Sequence, residues 1–303
     1  MGRRNISPRL GASPGVIARA YAPLAYALLA LSSAMLLACG SEGAGDNAED
    51  DPMPRQVAKS PAPYDFANAS QTLDLPPELQ EISGLALLPD GRLAAVNDEK
   101  GRVYAIGLDS GTVELMIDFG TKGDYEGIER VGDRLFVMDS EGSVVELIEW
   151  RTGGTATRIF DGGYGERLCN AEGLAGDPYR LILVCKEANV KEDNAMYAFE
   201  LGVDTFAYRP IRYLDPREVG VKKDLRPSAA AVHPITGQTM VLSSRYELIM
   251  VLSPTGVLDA VWDVKPAKLQ QPEGMTFLEN GDLVLASEGD HKPGRVVRYA
   301  YVH

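Results

Sequence analysis

One short phrase recurs five times along the chain and sets what it can fold into. Glu81-Ile-Ser83-Gly84-Leu85, Asp124-Tyr-Glu126-Gly127-Ile128, Asn170-Ala-Glu172-Gly173-Leu174, Arg226-Pro-Ser228-Ala229-Ala230 and Gln271-Pro-Glu273-Gly274-Met275 are variants of polar-x-Glu/Ser-Gly-apolar. Counted at the fourth position, successive copies stand 43 (84 to 127), 46 (127 to 173), 56 (173 to 229) and 45 (229 to 274) residues apart. A period of about 40–50 residues filled with short alternating segments is the pattern of propeller blades.

Each copy opens the same sequence of runs and turns. After Gly84 come an apolar run, the turn Pro89-Asp90-Gly91, Arg92-Leu-Ala-Ala-Val96, a turn at Asn97 to Gly101, Val103-Tyr-Ala-Ile and Asp109-Ser-Gly111. Thr112-Val-Glu-Leu-Met-Ile then completes four short strands separated by hairpin signals. The fifth copy ends one strand short, at Val296-Val-Arg-Tyr-Ala-Tyr, and Gln71-Thr-Leu-Asp-Leu lies upstream of the first. Pairing the two ends closes the ring and removes its exposed edges. The expectation is an all-β, five-bladed propeller closed by an N-terminal strand, over residues 66–303. Trp150 and Trp262 follow apolar runs and read as outer-strand packing.

Residues 1–39 have a different character. Arg3, Arg4, Arg9 and Arg19 precede a chargeless stretch from Ala20 to Ala38, and Leu36-Leu37-Ala38-Cys39 follows. This is the order of a lipoprotein signal peptide, with Cys39 as the lipidated residue. A plain membrane-spanning helix of minimal length is the alternative. Residues 40–65 are small, acidic and proline-bearing, the composition of a flexible tether. No aspartate follows Cys39, so the pattern implies a lipid anchor in the bacterial outer membrane, facing the periplasm. The net charge is −13, and removal of four arginines makes the body more acidic still. Such a body repels nucleic acid, leaving a small ligand or an envelope protein as the expected partner and a monomer as the expected state.

In a blade, the start of the inner strand shares a face with the end of the second strand. That rule gathers the phrase residues with Asp98, Asp139, Lys186-Glu187, Ser244 and Glu288, which together with Arg226 form the expected ligand-binding face. Around the axis the phrase contributes Asp124, Asn170, Glu126, Glu172 and Glu273, nearly all oxygen donors. Converging carboxylates repel unless protonated, solvated or neutralised, and calcium takes six to eight oxygen ligands. The competing reading is that each Glu-Gly merely caps a blade, with glycine allowing close packing. No elbow, P-loop, dinucleotide or zinc-protease motif occurs. His291, in a loop on the acidic side, is the one candidate for a catalytic base. Cys169 and Cys185 flank the inner hairpin of the third blade, and an even pair in an oxidising compartment suggests a disulfide, although the two are not directly opposed in register.

The phrase, the lipobox and the blade count together resemble the SdiA-regulated domain family of bacterial envelope proteins, over roughly residues 70–303. Glu81-Ile-Ser-Gly-Leu-Ala and Asp124-Tyr-Glu-Gly-Ile carry most of the likeness. The resemblance implies a five-bladed propeller, distantly similar to NHL-repeat proteins, with bound calcium at positions matching Glu126, Glu172 and Glu273. Ser83 and Ser228 depart from glutamate within the chain's own pattern. The resemblance carries no activity with it; the expected function is a calcium-binding envelope lipoprotein that acts as a ligand- or protein-binding propeller scaffold. The alternative is a calcium-dependent hydrolase of the lactonase or phytase-like esterase kind, with Arg226, Lys186 and Arg245 as cations for a phosphorylated substrate.

Overall fold

Short β-branched runs between Asp/Gly/Pro turns become the strands of five separate sheets. A computed structural model describes residues 55–162, 169–188, 194–207 and 209–302. The expected signal peptide, Cys39 and the first part of the expected tether lie outside the described residues.

Blade one comprises β2 (Ile82–Leu87), β3 (Leu93–Asn97), β4 (Lys100–Ile106) and β5 (Val113–Lys122). Blade two comprises β6 (Tyr125–Val131), β7 (Arg134–Asp139), β8 (Val144–Leu147) and β9 (Thr157–Phe160). Blade three is built from β10 (Cys169–Gly176), β11 (Arg180–Ala188) and β12 (Ala195–Glu200), with two short strands, β13 (Thr205–Phe206) and β14 (Arg212–Tyr213), sharing the outer side of β12. Blade four comprises β15 (Ala229–Val232), β16 (Thr239–Ser243), β17 (Leu248–Leu252) and β18 (Leu258–Asp263). Blade five has β19 (Gln271–Phe277), β20 (Leu283–Glu288) and β21 (Arg295–Tyr299), and its fourth strand is β1 (Gln71–Asp74). β1 runs antiparallel to β21, from Gln71 opposite Arg298 to Asp74 opposite Arg295. The five-bladed, strand-closed propeller expected from the repeats is the fold.

Apolar packing follows the blade count. Five buried clusters lie between successive blades: Val96 and Val137 meet between blades one and two, Phe136 and Phe199 between two and three. Val184 and Val241 join blades three and four, Trp262 and Phe277 four and five, and Val284 and Leu93 five and one. Trp262 is on an outer strand, as expected. Trp150 instead sits in a 3-10 turn after β8, donating its indole N–H to the Asp133 carbonyl at 2.8 Å.

The inner strands β2, β6, β10, β15 and β19 each neighbour the next around the axis. Glycine at the fourth phrase position is what lets them approach. A Cβ on Gly84 would stand 2.9 Å from the Ile128 amide nitrogen, and one on Gly173 would stand 3.0 Å from backbone atoms of Ala229 and Ala230. Both obstacles are backbone and cannot rotate aside.

The packed body begins before residue 66, which corrects the extent of the expected tether. Val57 N–H donates to the Glu218 carbonyl (2.7 Å) and Ser60 N–H to the Val261 carbonyl (2.8 Å). Lys59 pairs with Asp263 at 2.9 Å. Tyr64 and Phe66 are buried between blades four and five, and the Tyr64 hydroxyl donates to the Gly281 carbonyl at 2.9 Å. Residues 55–65 are thus a strap across the outer side of the fourth blade, held by aromatic anchors that a polar, proline-bearing composition hides.

Gly84→Ala is expected to cost about 1–3 kcal/mol, because the added methyl meets fixed backbone of the next blade. Urea unfolding followed by circular dichroism measures it. A loss under 0.5 kcal/mol, roughly the effect of an indifferent surface change, would show that the inner ring yields to an added methyl.

Candidate functional site

The third phrase residue is a β-bulge in four blades. Pairing between the inner and second strand jumps from Ile82 to Gly84, from Tyr125 to Gly127, from Ala171 to Gly173 and from Pro272 to Gly274. The skipped residues are Ser83, Glu126, Glu172 and Glu273. Blade four places Ser228 immediately before β15. A bulge re-aims the side chain of its extra residue, and here it turns Ser83 and the three glutamates toward one narrow axial lumen. The cavity holds about 10 Å³, close to the minimum one water needs.

The two serines do something the glutamates cannot. Ser83 Oγ donates to the Tyr125 carbonyl at 2.6 Å and Ser228 Oγ to the Pro272 carbonyl at 2.8 Å. Each laces its blade to the residue just before the next blade's glutamate. The departures from Glu in the repeat are therefore interblade hydrogen bonds.

The glutamates meet different surroundings. Glu172 is 5% exposed and accepts from Lys186 Nζ at 2.9 Å and from Asn170 Nδ2 at 2.7 Å. Lys186 reaches the lumen because β11 has its own irregularity: pairing passes from Glu187 to Cys185 and skips Lys186. Glu126 receives no hydrogen bond among the described residues. Burial, then the charges of Glu172, Asp124 and Glu273, push its carboxyl up to about 9. Glu273 is raised by burial and by a shared hydrogen bond with Glu288, whose own carboxyl burial also raises. Burial raises Glu172 too, and Lys186 and Asn170 offset part of the rise. Burial pulls Lys186 down, but Glu172, Glu273 and Glu126 together outweigh it and hold the ammonium above the usual lysine range. At neutral pH the ring contains one ion pair, Glu172–Lys186, and carboxyls that retain protons.

The remaining residues expected at this face divide among several tasks. Asp98 lies nearby, pushed up to about 6 by burial and by Glu81, Glu99, Asp124 and Glu273, with its Oδ1 buried and unpartnered. Asp139 accepts from the Glu141 and Ser143 amides and caps its own turn. Glu187 and Arg226 pair with each other at 2.7 Å. The Ser244 amide donates to Ser228 Oγ. Asp124 is exposed, and its carbonyl takes the Ser140 amide at 2.7 Å. Arg245 rests over the Tyr246 ring. The His291 ring is 95% exposed, with Asp290 at 3.6 Å, and does not line the lumen.

Carboxylate oxygens are the donors calcium prefers. Among the described residues, however, no three His, Cys, Asp or Glu side chains are gathered closely enough to hold a metal ion, and the Lys186 ammonium already lies on Glu172. The ring in this arrangement does not fit a resident calcium. A cation entering it must displace Lys186 or protons.

Cys169 and Cys185 are joined as a disulfide with a Cα–Cα distance of 5.7 Å. Cys169 stands opposite Ala188 and Cys185 opposite Ala171, so the bond crosses the ladder diagonally beside the Glu172 bulge of β10 and the Lys186 skip of β11. The bond is buried beside the axis, and the residue after each cysteine, Asn170 and Lys186, is a hydrogen-bond partner of Glu172. The crosslink thus pins both arms that hold the central ion pair.

The raised carboxyls make stability depend on pH with a definite sign. The folded chain keeps protons that the unfolded chain releases above about 4.5, so unfolding is favoured as pH rises from about 5 to 9. The thermal midpoint should fall across that range, and Glu126→Gln should raise it at pH 8.5 by ~3–6 °C with little change at pH 5. An equal effect at both pH values would show that Glu126 is ionised in the fold. Replacing both cysteines by alanine closes no loop of 16 residues and should cost about 3 kcal/mol in urea unfolding.

No family model matches the chain, and no curated protein does. Solved structures do. An aldose sugar dehydrogenase from Streptomyces coelicolor in its PQQ-bound form aligns with a TM-score of 0.50 at 13% identity, over 77% of this chain and 97% of that one. A chain of a nidogen/laminin complex aligns at 0.48 and 19% identity, over 68% and 72%. Virginiamycin B lyase from Staphylococcus aureus aligns at 0.44 and 12% identity, over 72% and 67%. These neighbours are β-propeller proteins, and at 13% identity the likeness to the sugar dehydrogenase is one of fold alone.

Proposed function

We propose that the chain is a non-enzymatic binding propeller of the bacterial envelope, anchored through a lipidated Cys39 and similar in role to the SdiA-regulated domain family, whose axial mouth accepts a cationic group. The observation that carries this reading is the bulged ring of Glu126, Glu172 and Glu273. Three carboxyls desolvated around one lumen share a single internal ammonium, so an added positive charge is the complement the mouth lacks. Glu288 and Asp98 extend the acidic surface outward from the ring; burial raises both carboxyls, that of Asp98 to about 6.

Calcium, expected from the family resemblance, is one such cation, and it must free Glu172 from Lys186. A protonated amine on a small ligand or an envelope protein asks less, since it can meet Glu126 and Glu273 and leave the Glu172–Lys186 pair in place. The hydrolase alternative gains no support from His291, which stands apart from the lumen.

Isothermal titration of the full chain with calcium chloride and, separately, with spermidine tests the reading. Saturable binding of spermidine is expected, with proton release seen as an observed heat that changes with the ionisation enthalpy of the buffer, and with a loss of tenfold or more in Glu126→Gln and Glu273→Gln. Binding of calcium alone, strengthened by Lys186→Met, would establish the metal as the ligand. Neither cation binding at pH 7.5 would sink the cation-accepting mouth.

A further inference from the structure

A second cleft stands apart from the acidic mouth. It lies between blades two and three, where the β6–β7 and β10–β11 turns and the end of β12 come together, and it measures about 900 Å³. That is within the range of small-molecule sites. Two of its walls are apolar and open: Tyr179 is 78% exposed and Val203 71%.

Four charged residues line it: Arg130, Arg134, Asp177 and Glu200. Two of them are already neutralised. Arg134 is held by Glu146 at 2.7 Å and Asp204 at 2.8 Å, and Asp177 by Arg180 at 3.1 Å. Arg130 and Glu200 have no ion-pair partner among the described residues. They do not pair with each other either, and Arg130 is held by backbone carbonyls. Its Nε donates to the Leu87 carbonyl and its Nη1 to the Gly132 carbonyl, each at 2.7 Å. The neighbouring Glu129 carboxyl, raised to about 8 by burial against the opposing pull of Arg130, accepts the Arg130 amide at 2.7 Å and makes no ion pair with its guanidinium.

Opposite charges in one cleft ordinarily collapse into a pair. Here the carbonyl bonds fix the guanidinium, so its position is set before any ligand arrives. We infer that this cleft binds a small zwitterion of the amino-acid or short-peptide class, its carboxylate on Arg130, its ammonium on Glu200 and an apolar or aromatic side chain against Tyr179 and Val203. The guanidinium keeps Nη2 for the carboxylate, and a charge-assisted bond of that kind is about twice as strong as a neutral one.

Isothermal titration of the full chain with phenylalanine, N-acetylphenylalanine and phenylalaninamide tests this. Phenylalanine should bind saturably, and each derivative, lacking one charge, at least tenfold more weakly. Glu200→Gln should bring phenylalanine down to the level of its N-acetyl derivative, and Tyr179→Ala should weaken all three. Arg130→Gln should remove the carboxylate requirement; since Arg130 also ties blade two to the Leu87 carbonyl, the surface variants at 179 and 200 decide the matter if that protein fails to fold. Glu126→Gln, which disables the axial mouth, should leave phenylalanine binding unchanged and so separates the two sites. Absence of saturable phenylalanine binding, equal binding of the N-acetyl derivative, or indifference to Glu200→Gln would overturn the proposal.

Discussion

Everything in this propeller depends on how closely five inner strands can approach one axis. The limit is set by backbone against backbone, at Gly84 against Ile128 and at Gly173 against Ala229 and Ala230. Where the fourth phrase position is alanine, in blade four, the preceding serine is not skipped within a ladder but stands ahead of a shorter strand. Close approach leaves room for very little in the lumen, and the residue before each close contact has to leave the ladder. Bulge and glycine are therefore one device: the glycine brings the strands together, and the bulge disposes of the side chain that would otherwise stand between them.

That device creates the electrostatic problem at the site. A bulged residue aimed at the axis is desolvated whatever its chemistry, and a carboxyl there either takes a proton or finds a cation. The ring uses both routes, with Lys186 on Glu172 and retained protons on Glu126 and the Glu273–Glu288 pair. The Cys169–Cys185 bond bears on the same balance. It fixes the strand ends that carry Asn170 and Lys186, so the Glu172–Lys186 pair rests on a crosslinked hairpin.

The blades were legible in the sequence because their signals are local. Alternation of period two and Asp/Gly turns located nearly every strand, and the unfinished fifth repeat pointed to closure by Gln71–Asp74. The phrase residues Glu126, Glu172 and Glu273 were legible as an axial set for the same reason. What escaped was long-range or hidden by irregularity. Nothing local marks Tyr64 and Phe66 as anchors of a strap over blade four, since their value comes from partners more than two hundred residues away. Lys186 was placed at the right mouth, but strict strand register gives no hint that β11 skips it and turns it onto Glu172. The strand-end rule likewise gathered Asp139 and Glu187 without showing that one caps a turn and the other pairs with Arg226.

The two serines explain why the ring is tolerable at all. Five bulged glutamates would desolvate five carboxyls around a space that holds about one water, and one lysine could not answer them. With Ser83 and Ser228 in place, Glu273 stands between two hydroxyls, and only Glu126 and Glu172 are neighbours around the ring. Each serine also converts an axial position from an electrostatic cost into an interblade hydrogen bond, at the two seams joining blades one to two and four to five. The remaining charge is concentrated on one side, beside the crosslinked third blade and its lysine. An asymmetric ring of this kind gives up uniform coordination of a central ion and leaves Glu126, the carboxyl without a partner, as the group whose protonation answers to whatever enters the mouth.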